Sequence, residues 1–377
     1  MLFLKLGTTA FGGPAGHLGM MEDEVVRRRG WLTHEQFLDL LGASNLIPGP
    51  TSTEMALHIG FRRAGLAGLL VAGVCFILPA AVMVGAIAFA YMRWGGRVPQ
   101  AGAVLYGIKP VVIAVLIQAM YRLGRAALKS WLLAVVGAGA AAANFFGANE
   151  LAVLFGAGIL VVLVRAITAR RRGGARVPML LAPLPLPLGK TSSFALASVA
   201  GGAGLWSMSL IFLKIGAVLF GGGYVLVAFL RADFVNRYGW ITEGQLFDAV
   251  AVGQFTPGPL FTTATFIGYV LGGPWGAVAA TVAIFLPGFV LVAISGPFIP
   301  RLRKSPAAGA FLDGLNVAAL ALLAVVSWQL GRAAIFDVRT IVICVAALAV
   351  LLILRINSAW LVLAGAVVGL AMRAGGG

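Results

Sequence analysis

Long apolar runs alternate with short charged clusters along the whole chain. Leu66–Tyr91, Ala103–Met120 and Ile341–Leu354 each approach or match the roughly 20 residues that a helix needs to cross a bilayer. Leu132–Phe146 and Leu151–Val164 read as a tight helical hairpin with almost no charge at its turn. Two interruptions break the pattern. Glycines follow the first apolar run at Phe11-Gly12-Gly13, and the run Phe37–Ile59 is cut by Pro48-Gly49-Pro50. Proline removes a backbone donor and clashes with the preceding turn, and glycine frees the backbone, so both places predict broken helices. The pattern predicts an all-α polytopic integral membrane protein. Composition agrees: the 377 residues are 60% hydrophobic and 11% charged, too few charges to cover a soluble domain.

The same plan occurs twice. FLKLG at Phe3, FGGP at Phe11, GWLT at Gly30 and PGP at Pro48 return as FLKIG at Phe212, FGGG at Phe220, GWIT at Gly239 and PGP at Pro257. Phe3 and Phe212, Trp31 and Trp240, and Pro48 and Pro257 are each 209 residues apart. Later landmarks keep step at 208, Gly60 with Gly268 and Pro79 with Pro287. The reading is two homologous repeats, 1–167 and 194–377, joined by a linker at 168–193. That linker is rich in arginine and then in proline, and proline at such density excludes a helix.

Charge orients the repeats. Lys and Arg mark cytoplasmic loops, so the linker is placed inside. Counting back through the hairpin puts Arg62 and Arg63 inside, where Arg27-Arg28-Arg29 also belong. Only Phe37–Ile59 lies between these clusters, and a full span would separate them. That segment is therefore expected to enter and return on one side. Each repeat then has an odd number of spans, and the second runs upside down. Inverted repeats with broken helices are the plan of secondary transporters, whose substrate sits near the midplane.

Within that plan the breaks are where chemistry is expected. A helix restarting after PGP presents unsatisfied N–H groups and a positive dipole end, which suits an anion. The candidate substrate-binding set is Phe11, Gly12 and Gly13 with Phe220, Gly221, Gly222 and Gly223, and Pro48, Gly49 and Pro50 with Pro257, Gly258 and Pro259. Thr51, Thr53 and Thr262 follow the PGP breaks as hydroxyls that either cap a helix or bind a ligand. Lys5 and Lys214 occupy matched places inside apolar segments, where a cation faces a cavity or partner or else snorkels to the interface. Glu54 is either a coupling carboxylate or the partner of Lys5, Arg62 or Arg63. Lys109 has Asn316 as its counterpart and is set aside.

Other residues read as structural. Glu22, Asp23 and Glu24 are expected in a solvated loop. His17, His34 and His58 lack ligand spacing, so no metal is implied. Gly65, Gly68, Gly273 and Gly276 are assigned to helix packing, and Cys75 and Cys344 to apolar filling. The net charge of +16 sits in short clusters between apolar runs, so it marks topology and not nucleic-acid binding.

These motifs carry a resemblance. FLKLGTTAFGGPAGH from Phe3, IPGPTSTEMALHIGFRRAG from Ile47 and CFILPA from Cys75 in the first half resemble the chromate ion transporter family. So do FLKIGAVLFGGG from Phe212, QFTPGP from Gln254, FIGY from Phe266 and FLPG from Phe285 in the second, which matches the family's long two-domain form. The resemblance implies a secondary transporter, not an enzyme, that exports chromate across the bacterial inner membrane and confers resistance. Sulfate or another oxyanion, or an anion channel, is the rival reading. The partners implied are chromate or sulfate and the lipid bilayer, with a homodimer as the candidate assembly and no cofactor. Two departures are FGGG in place of a second FGGP and the lack of a tail before the first motif. No cleavable signal pattern leads the chain either, so the first apolar segment is expected in the mature fold. No GxxxxGK[ST] motif is present. Labelling single cysteines checks the orientation: the 62–63 and 271–275 loops are expected to react from opposite sides of the membrane, and reaction from one side overturns the inverted arrangement.

Overall fold

The stretch Thr51–Trp94 is helical over 44 residues. As one straight rod it would reach about 66 Å, roughly twice the hydrocarbon core of a bilayer. It folds back instead. At Ala64 (φ −149°, ψ 31°) and Gly65 (φ 58°, ψ −146°) the backbone leaves the helix and reverses. Gly60 and Gly68 then meet across the reversal, neither with room for a Cβ against the other's carbonyl. Thr263–Ser295 reverses in the same way at Gly272 and Gly273 (φ 61°, ψ −153°), and the Thr265 and Thr281 hydroxyls bond across it at 2.7 Å. Glycine takes this left-handed conformation without the Cβ penalty. Gly65 and Gly273, expected to serve helix packing, therefore make the turns, and the close packing falls to Gly68 and Gly276.

The computed structural model describes residues 1–10, 13–95, 101–171, 204–220, 222–295, 305–354 and 356–374, with no strand among them. The first half comprises α1 (Leu2–Thr9), α2 (Gly13–Glu22), α3 (His34–Ser44), α4 (Thr51–Trp94), α5 (Ala101–Ala127), α6 (Trp131–Phe145) and α7 (Glu150–Arg171). The second comprises α8 (Leu205–Val218), α9 (Leu226–Leu230), α10 (Glu243–Phe255), α11 (Thr263–Ser295), α12 (Pro306–Ala334), α13 (Val338–Ile353) and α14 (Ser358–Ala374). Wide π-helical turns extend α2 over Asp23–Arg28 and α9 over Arg231–Arg237. Glu22, Asp23 and Glu24 are thus helical, and Glu24 is buried, unlike the solvated loop expected for them. Helix α7 continues through Arg171, past the repeat boundary expected at 167. The remainder of the linker, 172–193, and Arg301–Lys304 lie outside the described residues. Among the described residues five segments are long and apolar enough to cross a membrane: Thr51–Trp94, Gly102–Ala127, Glu150–Arg170, Leu260–Ser295 and Pro306–Ala334. The chain is a multi-pass membrane protein.

Local bonding recurs in step along the two halves. Thr33 and Gln36 form a capping box at the start of α3, as Thr242 and Gln245 do at α10. After each π turn the Trp31 and Trp240 N–H groups bond the Val25 and Phe234 carbonyls, both at 2.8 Å. These boxes satisfy N–H groups that a helix start leaves open, which is why each GW(L/I)T motif stops one helix and begins the next.

The halves interlock through exchanged helices. Helix α5 packs on α13 and α14, and α12 packs on α6 and α7. Small residues bring the backbones together. A Cβ on Gly107 would collide with the Gly365 carbonyl, and one on Gly314 would lie 2.6 Å from the Ala157 carbonyl. Tyr106 donates to Asp337 at 2.5 Å, and Lys129 and Arg165 both reach Asp313 at 2.9 Å. Gly107→Ala is expected to cost about 1–3 kcal/mol, typical of overpacking, read as a lower unfolding midpoint in detergent. Gly139→Ala, where nothing lies within 4 Å of the added methyl, is expected to be neutral or stabilising.

Candidate functional site

Proline has no N–H, so in each Pro-Gly-Pro only the glycine can donate. In both halves that donor crosses to the other half. Gly49 N–H bonds the Leu219 carbonyl at 2.9 Å, and Gly258 N–H bonds the Ala10 carbonyl at 3.0 Å. Ala10 and Leu219 follow the ends of α1 and α8, where the backbone turns extended at ψ 105° and 106° and carbonyls are left over. Gly49 and Gly258 take φ of 134° and 101°. Gly258 is also pressed on α4, where a Cβ would lie 2.6 Å from that of Ala80. All residues of both PGP triplets are buried. The tip of each broken pair is therefore seated on the broken end of the opposite half.

Helix starts gather at these tips, and their capping differs from the rest. Thr33, Ser130, Asn149, Thr242, Ser305, Asp337 and Asn357 accept from N–H groups at the starts of their helices. The helical segments restarting after Pro50, Gly222 and Pro259 have no side-chain cap. Helices α1 and α8 are also uncapped, but they begin at the ends away from the tips. Uncapped starts keep N–H donors and a positive dipole end available at the meeting of the halves.

The hydroxyls after the two breaks behave differently. Thr262 and Thr263 donate backward to the Pro259 and Leu260 carbonyls at 2.8 and 2.7 Å. Thr53, the counterpart of Thr262, is buried with no partner for its hydroxyl among the described residues, and Thr51 is half-buried beside it. Thr53 thus differs from Thr262 and Thr263 in keeping a buried hydroxyl unpaired among the described residues.

The two lysines are held by carboxylates. Lys5 Nζ lies 2.8 Å from Glu24, and Lys214 Nζ lies 2.5 Å from Asp233, each pair 19 residues apart. Each bond ties α1 or α8 to the π turn beyond the glycine break, so the broken pair folds back on itself. Arg28 and Arg29 also reach Glu24. The hydrogen bonds from Lys5 and then Arg29 hold Glu24 below the usual carboxylate range. Neither lysine offers a bare cation to the tips.

Glu54 lies in the first turn of α4 with both carboxylate oxygens unpartnered among the described residues. It pairs with none of Lys5, Arg62 and Arg63, so of its two sequence readings the ion pair is not formed. His58, one turn on, is buried with its Nε2 unpartnered among the described residues, and His17 is fixed by the Ala10 carbonyl at 3.0 Å from its Nε2. Among the described residues no cluster of His, Cys, Asp and Glu could hold a metal.

Three polar residues here stand outside the sequence-level set. Tyr224 reaches across the halves, its hydroxyl 3.3 Å from where a Cβ on Gly13 would be, and it lies beside Gln254. Gln254, immediately before FTPGP, has a buried amide nitrogen without a partner among the described residues. Asp248 accepts from Tyr91 at 2.7 Å, with Lys109 nearby. An acid inside an apolar stretch is the signal that would have found Asp248. Phe220 is half-buried, Gly222 and Gly223 open the second glycine break, and Phe11, Gly12 and Gly221 lie outside the described residues.

The family profile described as Chromate transporter matches residues 1–162 and 206–370. This chain belongs to the chromate transporter family. Among its relatives, the Chromate transport protein of Cupriavidus metallidurans is 32% identical over 97% of this chain and 90% of its own length. The Probable chromate transport protein of Synechococcus elongatus is 32% identical over 92% and 87%, and the Chromate transport protein of Pseudomonas aeruginosa 34% over 88% and 80%. No solved structure matches. The chromate transporter family is one of transporters and not of enzymes, so the chemistry to explain is recognition and movement. Lys214→Met is expected to destabilise the protein by about 2 kcal/mol, less than the 3–5 of a fully buried pair, because Lys214 keeps 33% of its side chain exposed. Adding Asp233→Leu is expected to restore most of that loss in a detergent unfolding cycle.

Proposed function

We propose that this protein is a secondary transporter that carries chromate out of the cell across the bacterial inner membrane, and so confers chromate resistance. In this reading residues 1–167 and 194–377 are inverted repeats joined by a cytoplasmic basic linker. Helices α1 with α2, and α3 with the first arm of α4, enter and return from one side of the membrane. Their counterparts α8 with α9, and α10 with the first arm of α11, enter from the other. The oxyanion sits where the breaks meet.

One observation carries the reading. The helical segments restarting at Pro50, Gly222 and Pro259 lack side-chain caps, in a chain whose halves exchange the Gly49–Leu219 and Gly258–Ala10 bonds. A tetrahedral dianion accepts hydrogen bonds on every oxygen and donates none. Backbone N–H groups near Gly13, Thr51 and Gly223, with the Thr53 hydroxyl, match that need. Lys5 and Lys214 contribute by fixing the broken pairs, and Gly222 and Gly223 by letting the backbone approach. The potential supplies the work. A dianion leaving an inside-negative cell gains about 4.6 kcal/mol per 100 mV, enough for a gradient of about three decades.

Sulfate is the rival substrate, since these donors recognise charge and tetrahedral shape before the central atom, and an anion channel is the rival mechanism. Radiolabelled chromate flux into everted vesicles tests all three. Saturable chromate uptake driven by the potential is expected, with sulfate a weaker competitor. Sulfate flux exceeding chromate flux overturns the substrate, and ion currents beyond the reach of alternating access overturn the transporter. Thr53→Val is expected to raise the apparent KM about tenfold, the size of one lost hydrogen bond to a charged group.

A further inference from the structure

We propose that Glu54 is the proton-binding group of the transport cycle, and that a proton and the oxyanion occupy the seam between the halves together. This rests on the reading of the breaks as the oxyanion site. Glu54 is 1% exposed, and neither carboxylate oxygen has a partner among the described residues. Its side chain folds back over the tip, so that a Cβ on Gly49 would collide with Oε1. Gly49 is the residue whose N–H crosses to Leu219. The carboxyl group therefore lies at the contact between the halves and at the uncapped start of α4. The fold itself does not call for an acid here: the second half has none at the matched place, where the Thr262 and Thr263 hydroxyls are satisfied by the Pro259 and Leu260 carbonyls.

The groups around it are accounted for. On the same arm of α4, His58 is buried one turn away, and Arg62 and Arg63 are exposed at the far end. From α1 comes Lys5, held by Glu24, and from α2 His17, held by the Ala10 carbonyl. Helix α3 carries His34, which bonds Glu22, together with Glu35 and Asp39, the last engaged elsewhere. The second arm of α4 adds Cys75, Arg93 and Tyr91; α10 adds Asp248, which accepts from Tyr91, and Glu243, which pairs with Arg231; α11 has Tyr269 and no charged residue. None of the bonds made by these groups reaches Glu54. An ionised carboxylate in that place needs a counter-charge and a protonated one does not. A dianion beside it sharpens the point, because two like charges in a dry seam repel strongly and one proton removes the repulsion. Proton and oxyanion then each raise the affinity for the other, by linkage. The proton joins a carboxylate oxygen as the anion enters and leaves as it departs, with no other bond made or broken. The transported unit carries one net negative charge, so 100 mV sustains a gradient of about one and a half decades instead of about three.

Chromate binding to the purified full-length protein in detergent, measured calorimetrically in two buffers of different ionisation heat, tests this. Chromate itself takes up a proton near neutral pH, and comparison of Glu54→Gln with wild type under the same conditions cancels that part. In the alkaline range, where Glu54 is ionised before the anion binds, wild type is expected to take up close to one further proton per oxyanion, with affinity falling toward tenfold per pH unit. Glu54→Gln is expected to bind with no further proton uptake and without that fall, and His58→Asn to keep both. Proton uptake that persists in Glu54→Gln, or is lost in His58→Asn alone, overturns the assignment. So does wild-type binding that depends on sodium and takes up no proton, a measurement that stands even where the variants do not fold. Wild type that binds neither chromate nor sulfate overturns the functional reading as well, whereas binding without proton uptake overturns only the role of Glu54.

Discussion

A single donor at each tip constrains the whole arrangement. Pro-Gly-Pro gives the chain a sharp break with one N–H to satisfy, and an unsatisfied N–H away from water costs several kcal/mol. Neither half satisfies its own. Gly49 depends on Leu219 and Gly258 on Ala10, so a half folded alone would leave its tip donor unpaired. The positive φ at both glycines and the missing space for a Cβ at Gly258 follow from the same crossing. So does the convergence of uncapped helix starts, because a tip that reaches the opposite half brings the start of its next helix along.

Charge around the tips is organised to hold geometry first. The Lys5–Glu24 and Lys214–Asp233 pairs each pin a short helix to the π turn beyond its glycine break. Their lysines are held by those carboxylates, so in the proposed site the attraction for an anion falls to backbone dipoles. A second pair of contacts occupies matched positions with the charges exchanged. Glu22 accepts from His34 at 3.0 Å in the first half, and Arg231 pairs with Glu243 in the second. Position is preserved there while sign is not, which separates the demands of the fold from those of its surroundings.

What could be read in advance was local. Apolar runs, the PGP and FGG breaks and the caps at Thr33 and Thr242 are signals carried by neighbouring residues. The reversal at Gly65 was not legible, because Gly65 and Gly68 in an apolar run look the same whether they turn a chain or pack two helices. The crossed glycine bonds join residues far apart in sequence, beyond any local pattern. The lysine partners were visible in principle, since an acid follows each lysine by 19 residues in both halves. Glu54 misled in the other direction: Arg62 and Arg63 stand more than two helical turns along the same arm, about 12 Å away, too far for a bond.

The differences between the halves matter as much as their likeness. If the repeats are inverted copies, exchanging their conformations turns an inward-open protein into an outward-open one, and identical copies would make the two states equal in energy. Residues that break the likeness are then the ones able to set a bias. Against Glu54, His58 and the free Thr53, the matched stretch of the second half has only apolar residues and threonines whose hydroxyls are bonded. All three differences fall on one arm of α4, beside a tip that crosses the seam. A buried carboxyl there changes charge with a proton, whereas the threonines of the matched stretch cannot. The energy difference between the two states would then depend on protonation of one half only. A frame built from two similar halves thus acquires a direction through a few side chains on a single arm.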